Sequence, residues 1–99
     1  MLTHIVLVTI ADHAPEAQVQ ALVDGLRALP DQIPEIGSYQ VDRDLGLADG
    51  NAGVAIVARF ASPEDLATYI AHPAHVAAVR DLLDPISPSR VRIQVPAPS

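Results

Sequence analysis

Apolar positions along the chain follow two different periods. From Leu2 to Ile10 they alternate into two rows, Leu2, His4, Val6, Val8, Ile10 and Thr3, Ile5, Leu7, Thr9. Both rows are largely apolar, the pattern of a strand covered on both faces. After an A-D-H-A turn the period lengthens: Val19, Leu22, Val23, Leu26 and Leu29 share one face at helical spacing. Pro15 and Glu16 suit the first turn of that helix, and Pro30 stops it. Residues 30 to 34 connect it to a segment from Ile36 to Leu45, in which Tyr39, Val41 and Leu45 stand between charges and predict a second, more exposed strand. A Gly-, Asp- and Asn-rich turn from Gly46 to Gly53 leads to V-A-I-V-A-R-F (54 to 60), so the region reads as a hairpin.

Ser62-Pro63-Glu64-Asp65 has the form of a helix start: serine as cap, proline at the first helical position, and acidic side chains near the positive end of the dipole. The helix it opens runs to about Ala71 and must bend or restart at Pro73, because proline lacks an N–H and disfavours helical geometry in the residue before it. A further helical segment is expected from Pro73 to Leu83, then an alternating strand from Arg90 to Val95, with the tail Pro96 to Ser99 frayed. The order strand, helix, strand, strand, helix, strand predicts an α+β fold of the ferredoxin-like βαββαβ kind, with an antiparallel sheet and both helices on one face. Its other face would then expose the apolar second row of the first strand. Pairing two such sheets face to face relieves this, so a dimeric α+β barrel, a two-fold homodimer, is expected.

Ninety-nine residues suffice for one small core, and residues 1–99 are read as a single domain. Aromatic residues are 3% of the chain, so a cavity would have mainly aliphatic walls. The net charge of -6 argues against nucleic-acid and anionic-membrane partners, which need a basic footprint. The absence of cysteine removes disulfides, thiolate metal ligands and a cysteine nucleophile. The apolar N-terminus lacks a basic flank and is too short to span a bilayer, which fits a cytoplasmic protein.

The opening H-I-V-L-V, P-E-I-G before the second strand, F-A-S-P-E-D-L-A-T-Y and H-P-A-H together resemble the stress-responsive dimeric α/β barrel (Dabb) family across essentially the whole chain. The resemblance implies the dimeric barrel fold. That family includes the plant polyketide cyclase that makes olivetolic acid by a cofactor-free intramolecular aldol cyclisation. Its catalytic tyrosine and histidine fall on Tyr69 and His75, in T-Y-I-A-H-P-A-H, and its N-terminal strand histidine on His4. The substrate-facing set that goes with them is His4, Val6, Val8, Leu22, Val23 and Leu26. Where the cyclase lines its pocket with aromatic residues on the first helix, this chain has Leu22, Val23 and Leu26, so a differently shaped acid is expected.

In chemical terms, an imidazole near neutral pKa can remove a proton from a carbon between two carbonyls, and a phenol can donate a hydrogen bond to the enolate oxygen. His75 and Tyr69 are the candidates for these roles, with His4 orienting the substrate. The competing reading has His75 half-buried on a backbone carbonyl and Tyr69 as a core residue, in a stress-responsive dimer that binds a small ligand or acts as a scaffold without chemistry. A cofactor-free monooxygenase of the related barrel type is the third reading. His72, directly before Pro73, is expected at the helix junction near a cap, and His13 in a solvated turn. Arg59 is expected to pair with an acid at the dimer interface or to hold a substrate carboxylate. No metal motif such as H-E-x-x-H, no phosphate loop and no nucleophile elbow is present, so neither metal nor cofactor is expected.

Overall fold

The computed structural model describes residues 1–98. Strands β1 (Leu2–Thr9), β2 (Ser38–Arg43), β3 (Val54–Phe60) and β4 (Ser89–Pro96) form one antiparallel sheet in the order β2-β3-β1-β4. Helices α1 (Glu16–Arg27), α2 (Pro63–Ala71) and α3 (Pro73–Ala78) cover one face, giving the ferredoxin-like arrangement. The alternation in β1 decides which row meets them. Val8 and His4 are buried, while Leu7 of the other row is 42% exposed. Opposite the β1 row, β3 contributes Val54, Ile56, Ala58 and Phe60 to the same core, and α1 adds Val19, Leu22, Val23 and Leu26.

The open face carries Ile5 between Val57 and Ile93, and Leu7 between Ala55 and Val91. Val91 and Ile93 are 66% and 56% exposed, so an apolar stripe runs across three strands, bordered at one end by Leu45 and by Leu47 of the 46–53 turn region, which share a pocket with Leu7 and Ala55. Arg59 stands on this face beside Thr3, exposed, with no ion pair among the described residues.

Some boundaries differ from the sequence reading, each for a local reason. Pro30 does not simply end the first helix. It lies within a 3-10 turn, Leu29–Asp31, that continues the chain after α1 and buries Leu29 and then Ile33. Strand β2 is shorter than Ile36–Leu45, since Ile36 packs on the core before it and Leu45 is 84% exposed beyond it. The arginine at the end of α1 ties the helix to this strand, with Arg27 donating to the Val41 carbonyl at 3.0 and 2.8 Å. The last helical segment divides at Ala78, after which Val79–Leu83 forms a π-helical turn closed by Asp84 N–H on Val79 C=O. The tail is not frayed where it is described: β4 reaches Pro96, and Ala97 N–H bonds Met1 C=O at 3.2 Å, while Ser99 lies outside the described residues.

Candidate functional site

The break between α2 and α3 builds the site. Ser62 caps α2 as its sequence demands, its hydroxyl accepting Asp65 N–H at 3.2 Å. Nine residues on, the helix cannot continue, because Pro73 offers no N–H. His72 adopts an extended backbone (φ -63°, ψ 135°) and becomes the cap of α3, its ring Nδ1 accepting Ala74 N–H at 3.0 Å. In an unbroken helix that N–H would serve the Ile70 carbonyl four residues earlier. The Ile70 carbonyl instead accepts from the His75 ring, 3.0 Å from Nδ1. Since a carbonyl can only accept, Nδ1 carries the proton and Nε2 keeps the lone pair. His72 therefore caps, and by taking the Ala74 N–H it frees the carbonyl that fixes the tautomer of His75.

His75 and Tyr69, on opposite sides of the break, meet with ring centroids 4.4 Å apart at 47°. Tyr69 is 2% exposed and stacks further on Phe60 (5.1 Å) and His4 (6.3 Å, edge-on). Its hydroxyl lies 2.8 Å from that of Tyr39 on β2. His4, on β1, receives a hydrogen bond from the Gln94 side-chain amide at 2.9 Å on Nδ1, which places its own proton on Nε2. The two histidines are thus set as opposites: His75 Nε2 accepts and His4 Nε2 donates.

His4, Tyr69 and His75 line a cleft of about 260 Å³ whose walls are Val6, Leu26, Ile56, Ile70, Val79 and Leu83, with Arg90 and Arg92 along β4. Arg90, Arg92 and Ile70 are exposed at its rim, so the cleft is open rather than sealed from water. Burial lowers the pKa of both histidines, with Arg92 and His75 adding to the effect on His4. At His75 the bond to Ile70 opposes burial, while Arg90 and His72 reinforce it. Both rings are consequently neutral at pH 7. Burial raises both tyrosines, so Tyr69 keeps its proton, and the bond with Tyr39 offsets only part of the rise at Tyr69.

Of the residues singled out from sequence, the structure brings His75, Tyr69, His4, Val6 and Leu26 into one cleft. It does not bring Val8, Leu22 or Val23 there. All three are sealed in the core at 0–1% exposure and line no part of the cleft. They share strand rows and helix faces with Val6 and Leu26 but lie beyond the cleft's reach along each element. The half-buried histidine on a backbone carbonyl, posed as the alternative to a reactive one, is also present: one nitrogen of His75 is satisfied and the other is left to the cleft. Tyr39, Gln94, Arg90 and Arg92 were not singled out as site residues. The only sequence signal for the last three was the polar row of an alternating strand. Among the described residues no group of three or more His, Asp or Glu side chains is arranged to hold a metal ion, and no helix is long and apolar enough to cross a membrane.

The Stress responsive A/B Barrel Domain family model matches residues 2–96. A stress-response A/B barrel domain-containing protein of Arabidopsis thaliana is 33% identical over 89 residues, covering 87% of this chain. This chain spans 33% of that relative's length. A dimeric ferredoxin-like protein of unknown function from Thermobifida fusca is 35% identical and superposes with a TM-score of 0.86, over 95% of this chain and 88% of that one. The hydroxynitrile lyase of Passiflora edulis superposes with a TM-score of 0.82 over 95% of this chain and 90% of that one, at 17% identity, a likeness of fold alone. With its order of elements, its open apolar sheet face and a family match over nearly every residue, this chain belongs to the stress responsive A/B barrel domain family.

Proposed function

We propose that this chain forms a two-fold homodimer through its open sheet face and that each cleft performs cofactor-free proton transfer on a small carbonyl acid, as in a polyketide cyclase. The observation that carries the reading is the fixed tautomer of His75 beside Tyr69: an imidazole with a free Nε2 and a protonated phenol share one cleft. In an intramolecular aldol step, His75 Nε2 takes the proton from a carbon between two carbonyls. The resulting carbanion forms a C–C bond to a ketone carbon of the same molecule, and the new alkoxide takes the proton back from the imidazolium. Tyr69 donates to the enolate oxygen meanwhile, and His4 Nε2–H holds a second carbonyl. The 2.8 Å contact between the two hydroxyls allows either direction, and with Tyr39 donating the Tyr69 proton is available to the substrate.

The cleft is slightly below the range of about 300–1,000 Å³ usual for ligand pockets, which suits a short acid without a large aromatic body. The dimer rests on the stripe of Leu7, Val91 and Ile93 and on its extension through Ile5 and Val57. The test is turnover of linear poly-β-keto acids by wild type and by His75→Ala. A fall of about 100-fold or more is expected for a lost general base. Equal rates would leave a ligand-binding or scaffold dimer, and substrate-dependent oxygen consumption would indicate a monooxygenase.

A further inference from the structure

On the helix-covered side of the sheet, β1 and β3 present apolar rows, yet β4 presents Arg90, Arg92 and Gln94 opposite Val8, Val6 and His4. An apolar row is the norm where this side of a sheet is sealed, whereas Arg90 and Arg92 are exposed where the cleft opens. The charges are distributed unevenly. The chain carries 12 acidic residues against six arginines, but no acid lines this cleft, which holds two arginines and two histidines. Four arginines are in ion pairs: Arg27 with Asp42, Arg43 with Glu16, Arg80 with Asp81 and Arg90 with Asp84. Among the described residues Arg92 has no acidic partner and makes no hydrogen bond that would hold it elsewhere. In a protein of net charge -6 the cleft therefore carries one cation, Arg92, that no acid compensates among the described residues.

We propose that Arg92, seconded by Arg90, is the receptor for the carboxylate of the substrate, and that this site selects keto acids over their neutral counterparts. The inference deepens the proposed function and rests on the same cleft being the substrate site. The spacing supports it. Arg92 pairs with Val6, two residues along the sheet from the His4–Gln94 pair, a step of roughly 7 Å. A carboxylate at Arg92 thus leaves a carbonyl a few bonds away, within reach of the His4 and Tyr69 donors. The guanidinium fork matches a carboxylate in two parallel hydrogen bonds, while the aliphatic walls take the carbon chain. The same arginines lower the pKa values of the histidines, Arg92 that of His4 and Arg90 that of His75. A bound carboxylate would cancel that influence and raise both.

The experiment is calorimetric titration at low salt with levulinate, methyl levulinate and inorganic phosphate, using wild type, Arg92→Gln and Arg92→Lys, together with NMR titration of the His4 ring. Levulinate is expected to bind wild type at least about tenfold more tightly than its ester or phosphate, and Arg92→Gln to lose about tenfold for levulinate with the ester unchanged. Arg92→Lys should restore part of the loss. Levulinate should raise the His4 midpoint in wild type but not in Arg92→Gln. Arg92 is exposed, so the fold is expected to survive, with circular dichroism as the check; if Arg92→Gln does not fold, the comparison passes to Arg92→Lys. Equal affinity for acid and ester, tighter binding of phosphate, or no binding of levulinate would overturn the proposal. Arg92-dependent binding without turnover of any poly-β-keto acid would overturn the proposed reaction and leave the carboxylate receptor standing.

Discussion

Removing one oxygen at a time from the tyrosine pair separates a catalytic hydroxyl from a structural one. Tyr69→Phe and Tyr39→Phe each delete the same 2.8 Å hydrogen bond and keep the ring that packs. A neutral bond contributes about 1 kcal/mol net, and the phenol left behind loses its partner in a mostly buried place, so each variant should be destabilised by about 1–2 kcal/mol. For a chain of this size that corresponds to a fall in Tm of roughly 4–16 °C at fixed protein concentration. No cavity term is added, because Phe60 and His75 still contact the ring at position 69. Activity should divide the two. Tyr69→Phe removes the donor to the enolate and should cost about 10²–10³-fold in kcat, whereas Tyr39→Phe leaves that donor in place and should cost under about tenfold. The assays are thermal unfolding followed by circular dichroism, and initial rates on a poly-β-keto acid. Equal rate losses for the two variants, or a Tyr69→Phe enzyme that loses stability but not rate, would refute the assignment of the Tyr69 proton to the substrate.

Other outcomes follow from the same geometry. Because burial lowers the folded pKa of His4 and His75, the unfolded chain binds more protons just below pH 6.5. Stability should be full above about pH 6.5 and fall as pH drops through the two lowered values, a slope that urea titrations should show flattened in a His4→Gln, His75→Gln double variant. In activity, the acid limb of kcat/KM should lie below the ordinary imidazole value of about 6.5, and a limb at or above it would argue against His75 as base. Ile93→Glu puts a charge in the middle of the open apolar face, and sedimentation should show dimers for the wild type and monomers for the variant. His72→Ala loses the α3 cap and should cost about 0.5–2 kcal/mol by thermal unfolding. It should also loosen the tautomer of His75, visible in the nitrogen shifts of that ring.

The order of elements was legible because period identifies elements without knowledge of their neighbours: two residues in β1, nearly four in α1, and caps and prolines at the ends of α2 and α3. Period also told which residues share a face. It could not tell how far along the face a residue sits from the opening of a cleft, which is why Val8 could not be separated from Val6, or Leu22 and Val23 from Leu26. Arg90, Arg92 and Gln94 alternate visibly with Val91, Ile93 and Val95. Which row meets the helices depends on the register with β1, and that is a property of the assembled sheet. The hydroxyl of Tyr39 meets that of Tyr69 thirty residues away, across β2 and α2, a distance that local pattern does not span. The π-helical turn after α3 had no breaker in Val79–Leu83 to announce it.

The break at Pro73 also governs angular phase. Tyr69 and His75 are six positions apart, and on one continuous helix of 3.6 residues per turn their side chains would leave the axis about 120° apart. They face each other because the axis changes direction between them. The pairing is therefore written in the joint and not in the spacing, so the two residues can be kept by a related chain and still never meet if its helix runs straight. In this chain the dipeptide His72-Pro73 is accordingly as much a part of the site as the tyrosine and histidine it unites.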